Sequence, residues 1–137
     1  THYVIKACER LKADGFKIEL KLIERVPHQK IKSIIQEADI VIDQLLLGWY
    51  GAIAVEAMAL KRPVLCYLRQ EDIDAFVSFR EQIPIFNTNP FKLYEDLKLL
   101  VKNPTMRRDL GEQGRLFVES VHDPIKIAKR VIETYET

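Results

Sequence analysis

The spacing of apolar positions changes several times along the 137 residues, and each change marks an element. Tyr3, Val4, Ile5, Ala7, Cys8 and Leu11 recur at helical spacing, and Asp14-Gly15 closes that helix. From Lys17 to Ile23 the period falls to two. Ile18, Leu20 and Leu22 alternate with Lys17, Glu19 and Lys21, the pattern of a half-exposed strand near a sheet edge. A polar connection, Glu24 to His28, leads to Ile31, Ile34, Ile35 and Ala38 on one face of a short helix. Ile40-Val41-Ile42 is a β-branched run suited to a parallel strand covered on both faces, with Asp43-Gln44 at its polar end. Gly48 and Gly51 then bracket Trp49-Tyr50, and small helix formers run from Ala52 to Leu60 until Pro63 stops them. Val64 to Leu68 reads as the next buried strand.

Beyond it, Glu71 to Arg80 predicts a short helix or an ordered loop, and Ile83 to Phe86 a final short strand. Asn87 to Pro90 is turn chemistry, and three helices follow: residues 91–102, residues 105–121 despite Gly111 and Gly114, and one capped by Asp123-Pro124 that reaches Tyr135. Strands alternating with helices imply right-handed crossovers, so the expected fold is α/β: a Rossmann-like doubly wound parallel sheet with a helical C-terminal tail, one domain over residues 1–137. Such a domain ordinarily opens with a strand, whereas this sequence opens with a helix. The expectation is therefore a sheet lacking its first strand, with the 18–23 and 39–43 strands either separated by a gap or paired directly.

Composition narrows the functional classes. With 21 basic and 20 acidic residues mixed along the chain, no global field draws nucleic acid, which is not expected as a partner. Cys8 and Cys66 lie in apolar contexts without metal-like spacing and read as reduced core residues, as in a cytoplasmic protein. No apolar run reaches the length of a transmembrane segment. No ligand cluster for a metal is evident, and the three histidines have no partner acid at useful spacing.

The stretch from Ala38 to Leu68 carries the candidate chemistry. A strand feeding a glycine turn that opens a helix presents free N–H groups and the positive end of a helix dipole, where a ligand phosphate fits. Gly51 permits close backbone approach to such a phosphate, and Ala52 begins the helix. Trp49 offers a stacking surface for a base or sugar, while Tyr50 reads first as a packing anchor.

Tyr50-Gly51, Glu56-Ala57-Met58-Ala59 and Pro63-Val64, preceded by Ala38-Asp39-Ile40, resemble the carboxy-terminal, donor-binding half of retaining GT-B glycosyltransferases, the group 1, family 4-like enzymes. Asn103-Pro104, Arg107, Leu110, Gly111 and Gly114-Arg115 resemble that family's last helices. The resemblance implies a nucleoside-diphosphate sugar, UDP- or GDP-linked, as donor, with no cofactor and no metal. It implies Glu56 as acceptor for the two ribose hydroxyls, Gly51, Tyr50 and Ala52 around the donor nucleotide, and Arg25, with His28 a weaker candidate, near the base. It further implies an N-terminal acceptor-binding domain as partner, through which the protein would be cytoplasmic or membrane-peripheral, and a half-site that alone transfers no sugar. Two positions depart from the pattern. Gly48 stands where the first acid of the family's pair falls, on the sugar side with Trp49, and Lys61 stands where a glycine is usual. The Gly48 departure keeps a second class in view, a nucleotide-binding or interaction domain without chemistry. A flavodoxin-like regulator would need clustered acids at the strand ends, where only Asp43 is evident.

Overall fold

The computed structural model of the chain describes residues 1–76 and 83–136. Seven helices and three short strands alternate among them: α1 (His2–Ala13), α2 (His28–Glu37), β1 (Val41–Ile42), α3 (Ala52–Ala59), β2 (Val64–Cys66), α4 (Gln70–Phe76), β3 (Phe86–Asn87), α5 (Leu93–Lys102), α6 (Pro104–Val121) and α7 (Pro124–Glu136). The strands are parallel in the order β1-β2-β3, with Val41 opposite Val64 and Leu65 opposite Phe86. Alternation along β2 sends its side chains to two cores. Val64 and Cys66 pack with Ala54, Ala57 and Met58 of α3 and Phe117 of α6, while Leu65 packs with Leu11 of α1 and Leu93, Leu97 and Leu100 of α5. Helices therefore cover both faces, as a parallel sheet requires.

Local chemistry sets the boundaries. Gly15, at φ +94°, ends α1 in a turn where the Phe16 amide reaches back to the Leu11 carbonyl, and the Tyr94 hydroxyl of α5 donates to Asp14 beside it. The Asn89 side chain accepts from the amides of Phe91 and Lys92, which delays α5 to Leu93. Asp123 does the same for Ile125 and Lys126 and opens α7. The apolar face of α7 is left exposed at Ile125, Ile132 and Tyr135.

Two expectations need correction, and a third is met over the described residues. Residues 17–23 form no ladder, because a strand exists only through a partner and none lies beside them. The last strand falls at Phe86–Asn87 instead of 83–86, since Pro84 has no amide to give to a ladder. Of the helix or loop expected over 71–80, α4 covers residues up to Phe76 and the rest lies outside the described residues.

With residues 17–23 outside any ladder, the sheet expectation is not met as a gap between two strands, but β1 is left with an unpaired edge. The Val41 and Asp43 amides donate to Pro63 and Leu65 of the β2 side, so alternation turns the N–H and C=O groups of Ile40 and Ile42 the other way. They face a cavity of about 780 Å³ bounded by residues 17–24 on one side and 37–46 on the other. No strand among the described residues fills it.

Candidate functional site

Asp43 leaves β1 at its carboxyl end, and the loop from Gln44 to Gly51 crosses to α3. The loop is held from three sides. Asp43 Oδ2 accepts the Gly51 amide at 2.7 Å, the Gln44 carbonyl accepts the Tyr67 amide at 2.8 Å, and the Gly48 carbonyl accepts the Arg69 amide at 2.8 Å. Gly48 sits at φ +84°, a conformation that favours glycine. Cys66 Sγ approaches the Gln44 carbonyl at 3.2 Å; burial first, and the Asp43 charge second, push its thiol up to about 12, so it stays protonated.

Trp49 stacks on Tyr50 with ring centres 5.3 Å apart, and Tyr50 meets Phe117 and His122 edge to face. The Tyr50 hydroxyl and His122 Nε2 are 2.9 Å apart, which ties the loop to the α6–α7 junction. Burial raises the Tyr50 phenol above its ordinary range and lowers the His122 imidazole. Tyr50 is thus the packing anchor that its position suggested.

Glu56 projects from the second turn of α3 towards His28 at the start of α2. Oε1 lies 4.0 Å from His28 Nε2, with the Glu56 side chain 33% and the His28 side chain 82% exposed. No described residue donates a hydrogen bond to the Glu56 carboxylate. Ala52 is exposed at the first position of α3, and the first-turn amides of Ala52, Ile53 and Ala54 have no intrahelical partner. The Gly51 amide, by contrast, is spent on Asp43. Arg25 is exposed at φ +54° and makes no ion pair with Glu56. The cavity beside β1 reaches Leu46 and Ile53 but not Gly51, Tyr50 or Glu56, so the glycine loop opens outside it.

The direction of α3 is set by α6. A Cβ at Gly111 would lie 2.2 Å from the Lys61 carbonyl oxygen, and one at Gly114 would lie 2.9 Å from Met58 Cγ, so Gly111 lets α6 meet the backbone just beyond α3 and Gly114 leaves room for the Met58 side chain. Arg115 donates to the Ala59 carbonyl at 2.9 Å and satisfies part of the α3 carboxyl end. Lys61 takes the left-handed conformation, φ +58°, with the Lys61 amide on Met58 and the Arg62 amide on Ala57. That is the position after a helix where glycine is favoured, which accounts for the glycine that Lys61 replaces.

Sequence reasoning missed Asp43 as the acceptor for Gly51, the Tyr50–His122 pair and the place of Arg69. An acid eight residues before a glycine is a weak signal, and the other two join residues 72 and 21 apart that only the fold brings together. Among the described residues no group of three or more His, Cys, Asp or Glu side chains is placed to hold a metal, and no helix is long and apolar enough to cross a membrane.

A parallel sheet covered on both faces, with a glycine loop leading from a strand end into a helix that carries an open carboxylate, defines an α/β domain of Rossmann-like type. Residues 2–117 match the family of glycosyl transferases group 1, and the chain belongs to that family. Curated proteins and solved structures give no match.

Proposed function

We propose that this chain is the donor-binding domain of a retaining GT-B glycosyltransferase, which takes a nucleoside-diphosphate sugar and passes its glycosyl group to an acceptor. The observation that supports the donor role best is the Glu56 carboxylate, anchored on α3 yet without a hydrogen bond from any described residue. A structural glutamate spends its oxygens on nearby N–H groups, whereas a ligand acceptor keeps them open. On this reading Glu56 accepts from both ribose hydroxyls. The free amides of Ala52 and Ile53, at the positive end of α3, face the diphosphate and stabilise it as it departs. Gly51 contributes conformation and close approach, since its amide is held by Asp43. Trp49 borders the sugar side and Arg25 the base side. The reading assigns no metal or cofactor to the site, and an N-terminal domain supplies the acceptor wall, so residues 1–137 alone hold half of the cleft.

A second reading, nucleotide binding without transfer, draws on Gly48, which puts no acid where the sugar lies. A transfer assay with the protein joined to its acceptor domain separates the two.

The donor role is tested by calorimetric titration with UDP and GDP. Glu56→Gln is expected to weaken the bound diphosphate by about 1–3 kcal/mol, the range for lost charge-assisted hydrogen bonds, with thermal stability unchanged. The 2′-deoxy nucleotide loses affinity for the wild type and little more for the variant. If Glu56→Gln unfolds the domain while the surviving protein binds normally, the carboxylate is structural and the ribose role is wrong.

A further inference from the structure

Gly48 leaves a space, and one side chain lies against it. A Cβ built on Gly48 would stand 3.1 Å from Cβ, 3.3 Å from Nε and 3.5 Å from Nη2 of Arg69. The Arg69 amide donates to the Gly48 carbonyl, so the two residues are fixed to each other through backbone as well as contact. A side chain at position 48 would crowd Arg69 along its Cβ and Nε, besides straining a backbone at φ +84°. Arg69 follows β2 and Gly48 follows β1, neighbouring parallel strands, which places the guanidinium over the carboxyl edge where ligands of such sheets bind.

The Arg69 side chain is half exposed. Its Nη1 lies 3.7 Å from Asp72 Oδ2, longer than a charge-assisted hydrogen bond, and its Nε–Nη2 edge has no acceptor among the described residues. That edge is the one that holds a phosphate or carboxylate through two parallel N–H bonds. The rest of the loop offers no other cation: Asp43 is an acid, and Leu46 and Leu47 are exposed and apolar.

We infer that Arg69 is a specificity-determining residue of the donor site: with glycine at position 48, its Nε–Nη2 edge receives an oxyanion of the donor, a phosphate or a sugar carboxylate. The inference rests on the donor reading above. It gives the Gly48 departure a positive content, because the side chain missing from the loop makes room for a guanidinium from the next strand.

The test measures binding of UDP and GDP, and of the neutral hexose and uronate esters of whichever diphosphate binds. If the oxyanion is a phosphate, Arg69→Ala weakens the diphosphate and both esters at least tenfold. If it is a carboxylate, the variant weakens only the uronate ester by that factor. Arg69→Lys, which keeps the charge without the fork, recovers part of the loss, and both variants melt with the wild type. Unchanged affinity of Arg69→Ala for every probe, alongside a loss in Glu56→Gln, overturns the role of Arg69 and leaves the donor reading standing. Failure of the wild-type protein to bind any probe overturns the donor reading and Arg69 with it.

Discussion

Replacing Gly111 by alanine sets two effects of known sign against each other. In an exposed helix the change gains about 1 kcal/mol, because alanine loses less backbone freedom. Here the new Cβ would lie 2.2 Å from the Lys61 carbonyl oxygen and 2.8 Å from its carbonyl carbon. Ordinary contact needs roughly 3.4 Å or more, so α6 and the end of α3 must separate by about 1 Å. No rotamer change relieves this, since both Lys61 atoms are backbone in a turn already fixed by amide hydrogen bonds to Ala57 and Met58. Overpacking of this kind costs about 1–3 kcal/mol, and a backbone clash belongs at the upper end. The net is a loss of about 1–2 kcal/mol, which at about 4 °C per kcal/mol for a domain of this size lowers Tm by about 4–8 °C. Gly114→Ala meets Met58 Cγ at 2.9 Å, the flexible part of a side chain, and should change stability by under about 1 kcal/mol in either direction. Thermal melts of the two variants, side by side, check the ranking. Gly111→Ala melting at or above the wild-type temperature would refute the close packing of α6 on the end of α3.

Lys61→Gly relieves a left-handed residue at the end of α3, and is expected to raise stability by about 0.5–1 kcal/mol in a denaturant titration; a loss would mean that the Lys61 side chain contributes more than its backbone costs. For His122, burial lowers the folded-state pKa below its ordinary 6.5, so the unfolded chain binds the proton more readily. Its contribution is therefore complete above about pH 6.5 and is lost as the pH falls through that value towards the folded pKa. The Tyr50 hydroxyl can donate to Nε2 only while that nitrogen is unprotonated, so the same fall loosens the glycine loop. Tm measured from pH 8 to pH 5 should drop, and His122→Phe should flatten the part of the drop that begins below about pH 6.5; an identical profile in the variant would assign the drop to other groups.

The central motif was legible because local chemistry governs it. Ile40-Val41-Ile42, the glycines, the alanine-rich run and Pro63 each fix one element, and β1, α3 and β2 fall where those residues put them. Cap residues did as well: Gly15 and Asp123 end and begin helices through their own atoms. Residues 17–23 show the limit. Alternation states which face of a strand is apolar, but a ladder also needs a neighbour, and the neighbour is a property of the whole sheet. In the site, Glu56 and the loop were readable, whereas the Asp43–Gly51 bond and Arg69 beside Gly48 depend on loop geometry that no period in the sequence encodes. The glycines of α6 looked like defects in a helix. They are contact points, and spacing three apart on a helix that must lie against another was the available sign.

The unmatched amides of Ile40 and Ile42 bear on how this polypeptide behaves in a concentrated solution. A row of unmet donors and acceptors between β-branched residues is a template for any extended chain, including another copy of itself. Charged residues Lys17, Glu19 and Lys21, the last paired with Glu37, line the opposite wall, and charges beside an open edge disfavour its pairing with a further strand. The open edge of β1 thus bears on the solubility of the isolated polypeptide separately from the loop where its chemistry is proposed.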